Sequence, residues 1–179
     1  MHIFSRLKSK KVDVIKDDHL LIGSTQSGRT HNWLNEREKL KMIANSLLVK
    51  GEVHYVDLSV NDNNKFTNLL PGCQTYQYAN EFTILLTDFK RKFDQRIKLF
   101  SEGRSIADLP FIYMVVNETD ELPEDLRISL QLCMKYLLEK QRIAKMVFVL
   151  YSSKEDSWDQ YYKMNKFVPI NYSPNLLKS

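Results

Sequence analysis

Apolar residues in this chain gather into short unbroken runs separated by longer stretches of helical spacing. His19-Leu20-Leu21-Ile22 is a short apolar run, and Val53-His54-Tyr55-Val56-Asp57-Leu58, Phe111-Ile112-Tyr113-Met114-Val115-Val116 and Met146-Val147-Phe148-Val149-Leu150-Tyr151 are rich in β-branched and aromatic residues. Runs of that length and composition predict strands, and the last two, apolar throughout, predict strands covered on both faces. Between them, Thr30 to Lys50 places Trp33, Leu34, Leu40, Ile43, Leu47 and Leu48 at helical spacing, with Gly51 as a stop. From Asn80 to Ser101, Phe82, Leu85, Leu86, Phe89, Phe93, Ile97 and Phe100 recur as a second helical stripe closed by Glu102-Gly103. That stripe reads as core packing and not as a ligand box. Pro123-Glu124-Asp125 opens a third helix running to about Ile143.

Weaker signals fill the rest. Asn61-Asp62-Asn63-Asn64 is a polar loop, Leu70-Pro71-Gly72 a turn, and Gln74-Thr75-Tyr76 a short extended piece. A short helix is expected near Trp158 to Met164, and an edge strand at Phe167-Val168-Pro169-Ile170. Alternation of apolar strands with helices predicts an α/β fold of three layers, with a mainly parallel central sheet. Right-handed crossovers then bring the loops at the strand C-termini to one rim: 23–30, Asp57–Ser59, Asn117–Asp120 and Ser152–Lys154. A ligand belongs on that rim.

Composition narrows the class. The 179 residues suit one domain, read here as residues 19–179 behind a basic leader, 1–18. No apolar run has the length of a membrane span, and the N-terminus lacks a signal-peptide core. Cys73 and Cys133 lie far apart with no Cys/His cluster beside them, so they read as buried thiols in a reducing compartment. The net charge of +4 comes with basic clusters at Arg6–Lys11, Lys39 with Lys41, and Lys90-Arg91-Lys92. Such clusters contact phosphates in some proteins, and solvated helix faces explain them equally well.

The chemistry concentrates in Gly23-Ser24-Thr25-Gln26-Ser27-Gly28-Arg29-Thr30, which follows a strand and opens a helix. It matches the phosphate-binding pattern G-x-x-x-x-G-K-[ST], in which backbone N–H groups surround phosphates, the lysine reaches them and the hydroxyl ligates Mg²⁺. Both glycines and Thr30 keep their spacing, but Arg29 stands in place of the lysine. Arginine keeps the charge on a wider, planar fork, which suits phosphate binding better than phosphoryl transfer. A plain Gly/Ser turn is the bland alternative.

A second site is expected where Phe111–Val116 ends in Asn117-Glu118-Thr119-Asp120-Glu121-Leu122. Nucleotide hydrolysis calls for a carboxylate there to hold Mg²⁺ through water, and another to activate the attacking water. Asn117 occupies the metal position without a charge, and Glu118 remains as the candidate catalytic base. Alternatively these residues form a polar cap on the next helix, filled by Asp120 or Glu121.

With these pieces in order, residues Lys11 to Asp156 resemble the FtsK/SpoIIIE/HerA family of DNA-pumping ATPases. Leu20 to Thr30 is similar to the family's strand and Walker A loop, usually ending Gly-Lys-Ser. Val53 to Ser59 is similar to the strand that ends Asp-Pro-Lys, and Phe93 to Phe100 to the Met-Glu-Arg-Arg-Tyr helix. Phe111 to Leu122 resembles the Walker B strand, and Val149 to Lys154 the sensor strand. The resemblance implies a RecA-like P-loop NTPase fold, ATP and Mg²⁺ as cofactors with Thr30 and Asn117 toward the metal, and DNA or secretion-machinery proteins as partners. It also implies a ring-type homo-oligomer and a cytoplasmic place, tethered to a membrane complex through partners. Arg29 for Lys, Asn117 for Asp and Ser152-Ser153 for Thr-Gln depart from the active pattern, so ATP binding is expected to be weakened or lost. Against that pattern, the closing strands of a full motor are expected to be short or missing within these residues, and the DNA-reading winged helix with them. The sequence therefore supports a degenerate nucleotide-binding domain of DNA transfer or type VII secretion. A pseudo-ATPase interaction scaffold is the alternative, and an active DNA pump the second.

Overall fold

The computed structural model describes residues 19–24, 33–59, 70–138, 144–152 and 167–172. Their order is β1 (His19–Ser24), α1 (Trp33–Leu48), β2 (Gly51–Val56), β3 (Gln74–Tyr76) and α2 (Ala79–Ser101), then β4 (Phe111–Val116), α3 (Glu124–Leu138), β5 (Met146–Ser152) and β6 (Phe167–Tyr172). A 3-10 turn, Thr119–Glu121, links β4 to α3. The strands form one six-stranded sheet in the order β3-β2-β4-β5-β1-β6, and every described pairing is parallel. This is the expected three-layer α/β architecture. The helix expected near Trp158 and the loop at Asn61–Asn64 lie outside the described residues.

Strand alternation sorts the core into two layers. Val56, Ile112, Met114, Val116, Met146, Phe148 and Leu150 face α2 and α3, packing on Phe82, Leu85, Phe89, Phe93, Leu130 and Met134. Val53, Tyr55, Tyr113, Val115, Val147, Val149 and Tyr151 face the other way, against Leu40, Ala44 and Leu47 of α1. The β4 and β5 runs lack polar alternation because both of their faces are covered.

Two boundaries differ from the sequence expectation. Helix α1 ends at Leu48, and Gly51 begins β2 instead of stopping the helix. A Cβ at Gly51 would sit 2.0 Å from the carbonyl oxygen of Phe111, its register partner on β4. Only glycine allows that approach. At its other end β2 stops at Val56, and Asp57 and Leu58 fall beyond it on the rim. Phe100, counted in the apolar stripe of α2, lies in a last turn that buries none of its side chains and is 52% exposed. Pro169 lies on β6, an edge strand of the described sheet, where proline is tolerated.

Candidate functional site

All strands running one way means that their C-termini share one edge of the sheet. On β1 that edge carries Gly23 and Ser24, the first two residues of the loop motif; Thr25, Gln26, Ser27, Gly28, Arg29 and Thr30 lie outside the described residues. Gly23 pairs with Ser152 of β5 and Asn171 of β6. The register carries across the sheet: Leu21 is level with Leu150, Leu150 with Val116, Val116 with Val56, and Val56 with Tyr76. Asn117 is therefore one step above Val116, and Glu118 is at about the height of Gly23. One strand, β5, separates the loop strand from the strand bearing Asn117 and Glu118. At about 4.8 Å per strand, the lateral gap is close to 10 Å.

The end of β4 is rigidly built. Asn117 donates its backbone N–H to Val56 O at 2.8 Å, extending the β2–β4 ladder by one residue. Glu118 then turns into the left-handed region, φ 48° and ψ 60°, which costs a non-glycine residue about 1 kcal/mol or more. Thr119 secures the turn by donating its hydroxyl to Tyr151 O at 3.2 Å, and Glu121 N–H donates to Glu118 O at 2.9 Å. Asn117, Glu118 and Thr119 are all buried. Asp120 and Glu121 sit inside the 3-10 turn, while the first turn of α3 holds Glu124 and Asp125. A left-handed, buried glutamate is a costly way to leave a strand, and strain of this kind gathers where geometry matters for function.

Magnesium and nucleotide can be weighed against these donors. Among the described residues, no group of three or more His, Cys, Asp or Glu side chains could hold a metal ion. The buried side chains of the rim include two amides, Asn117 and Gln77, and two carboxylates, Glu118 and Asp57, at the ends of β4, β3 and β2. One orphaned buried atom, Gln77 Nε2, lies at the same edge. That set fits a cation that keeps its own water shell and is held at second hand, as Mg²⁺ at phosphates is. It does not fit a cation caged by protein.

The basic cluster on α2 is spent internally. Lys90 Nζ lies 4.2 Å over the Tyr136 ring, Arg91 pairs with Asp88, and Lys92 reaches Glu52 at 2.7 Å. This supports the solvated-face reading of Lys90-Arg91-Lys92. The Arg6–Lys11 cluster lies outside the described residues.

Sequence reasoning passed over a polar group below the rim. His54, 1% exposed inside β2, places Nδ1 2.9 Å from Tyr76 Oη, and that hydroxyl donates to Gln74 Oε1. His54 Nε2 lies 2.7 Å from Glu52 Oε1. Burial above all pulls the His54 imidazole below its ordinary value, against the opposing pull of Glu52. The polar residues at 52 and 54, spaced by two, were the available signal: strand period places both on the α2 side. Cys133 is a buried thiol as expected, pushed up to about 12 by burial, and both cysteines are free.

No protein-family model matches the chain, and no curated protein does. Solved structures do match. The pCW3 conjugation coupling protein TcpA, in its monomer form with ATPgS, is 18% identical with a TM-score of 0.53, over 83% of this chain and 46% of that one. EssC (ATPases 2 and 3) from Geobacillus thermodenitrificans is 12% identical at 0.56, over 79% and 29%. The cytoplasmic domain of the type VII secretion ATPase EccC from Thermomonospora curvata is 13% identical at 0.57, over 90% and 20%. The chain thus spans less than half the length of each. At these identities the likeness is one of fold: the chain has the RecA-like α/β fold, with a mainly parallel central sheet, that these structures share.

Proposed function

We propose that this chain is a degenerate FtsK/SpoIIIE-like nucleotide-binding domain that hydrolyses ATP slowly or not at all. The observation that carries the reading is the rim itself. The β1 end, where the loop motif begins, and the strained β4 end, with buried Asn117 and Glu118, face one edge at nearly one height. In this reading the backbone N–H groups of 23–30 and the Arg29 fork hold the phosphates, Thr30 and Asn117 face the metal, and Glu118 orients water. Magnesium, when bound with the nucleotide, supplies positive charge that offsets the phosphates. Asn117 brings no charge to that cation, and Arg29 offers a fork where a compact ammonium serves transfer better. Binding outlasts turnover.

The setting follows the neighbours. TcpA is a conjugation coupling protein and EccC a type VII secretion ATPase. A motor assembly of DNA transfer or protein secretion, cytoplasmic and joined to a membrane complex through partners, is the context proposed for this domain. Among the described residues no helix is long and apolar enough to cross a membrane.

Calorimetric titration of Mg²⁺-ATP into the wild type, Arg29→Lys, Asn117→Asp and the double variant tests the site. Both single changes are expected to tighten binding, and the double variant by more than either alone, because the two act on one bound Mg²⁺-nucleotide. Wild-type turnover is expected well below about one per second, the low end of ordinary enzymes. Equal, undetectable binding in all four variants would overturn nucleotide binding and favour an interaction scaffold that has kept only the fold.

A further inference from the structure

The register exposes a row that no single strand reveals. One step past Tyr76, Val56 and Val116, which are level with one another, stand Gln77, Asp57 and Asn117 on the adjacent strands β3, β2 and β4. The ladder continues through them: Asp57 N–H donates to Tyr76 O at 2.9 Å, and Asn117 N–H to Val56 O at 2.8 Å. Since Val56, Val116 and Tyr76 face the α2 side, alternation turns the row toward the face of α1, the helix that follows the loop motif.

All three side chains are buried: Gln77 is 7% exposed, Asp57 1% and Asn117 3%. Gln77 Nε2 is buried with no hydrogen-bond partner among the described residues. A donor left so costs about 1–3 kcal/mol unless a water or ligand meets it. Asp57 is oriented by Ser59, whose hydroxyl and N–H donate to Oδ1 at 2.7 and 3.3 Å. Neighbouring strands lie about 4.8 Å apart, and one water bridging two oxygens spans about 5.5 Å. A single water can therefore bridge Asp57 and Asn117.

We propose that Asp57 supplies, from one strand further out, the negative charge that Asn117 lacks. It acts through water on the hydrated Mg²⁺ of a bound nucleotide, with Gln77 holding that water by its amide. This rests on the nucleotide-binding reading above. Asp57 is a positioning residue here, and Asn117 relays its field by sharing the water. A buried carboxylate suits the task, because sheltered charges act more strongly than exposed ones at the same distance.

The test compares ATP binding in EDTA with ATP binding in Mg²⁺, for the wild type, Asp57→Asn, Ser59→Ala and Asp57→Asn with Asn117→Asp. Mg²⁺ is expected to tighten wild-type binding, and Asp57→Asn to remove about tenfold of that gain without weakening binding in EDTA, as losses of outer-shell metal partners do. Ser59→Ala, which removes the hydroxyl that orients the Asp57 carboxylate, is expected to lose part of that gain. Asn117→Asp restores it in the Asp57→Asn background by returning the charge to β4. In ¹³C-aspartate-labelled wild type, Mn²⁺-ATP should broaden the Asp57 carboxylate signal, a readout that needs no variant to fold. Mg²⁺-dependent tightening that survives Asp57→Asn, an equal loss with and without metal, or an unbroadened Asp57 signal would overturn this inference alone. Absence of ATP binding by the wild type under both conditions would overturn the nucleotide reading and this inference with it.

Discussion

Arg96 is the side chain that holds the floor of the sheet, at the edge away from the rim. It sits on α2, 7% exposed, and its guanidinium donates to Ala144 O at 2.9 Å, Lys145 O at 3.2 Å and Pro110 O at 2.8 Å. Those carbonyls belong to the segments entering β4 and β5. Burial draws its pKa down, yet an arginine remains charged at any ordinary pH. Arg96→Met keeps the stem and strands the carbonyls, so it is expected to cost about 2–4 kcal/mol in urea unfolding. His54 gives a pH prediction. Its folded value lies below the ordinary 6.5, mainly through burial, so the unfolded chain takes up the proton first as pH falls. Stability is full above about pH 6.5 and declines as pH falls through the folded value. Melting temperatures measured from pH 7.5 to 5 should fall, and His54→Gln should flatten that slope. A profile unchanged by the substitution would remove His54 as the cause.

At the scale of elements, glycine decides how β2 meets β4. Gly51→Ala forces a Cβ against backbone, not against a yielding side chain, and is expected to cost about 3 kcal/mol. Gly103→Ala is the comparison: φ is +73° with open space around it, so only backbone strain is charged, about 1 kcal/mol. Urea midpoints of the two variants check the order. These two glycines also show what was legible. Gly103 as a helix stop could be read from Glu102-Gly103 alone, and α2 begins within one residue of expectation because five buried aliphatic and aromatic side chains fix its face. Gly51 could not be read correctly, since its reason is a contact with Phe111, sixty positions along the chain. The same holds at the site. That Asn117 and Glu118 end a central strand follows from Phe111–Val116. That Asp57 and Gln77 stand level with Asn117 depends on register between parallel strands, which local pattern does not encode. The left-handed turn at Glu118 had no sequence signal.

For the whole molecule, the sheet order is what makes a phosphate site coherent. With β5 between β1 and β4, Gly23 and Ser24, where the loop motif begins, and the Asn117–Glu118 end stand about 10 Å apart laterally on one edge, the span that the proposed phosphates and hydrated cation would occupy. Thermal melting of the wild-type chain with and without Mg²⁺-ATP tests this most directly. Nucleotide at a hundred times its dissociation constant should add about 2.7 kcal/mol of stability. For a chain of this size that raises the melting temperature by roughly 5–10 °C. A melting temperature that stays put at millimolar Mg²⁺-ATP would contradict the account.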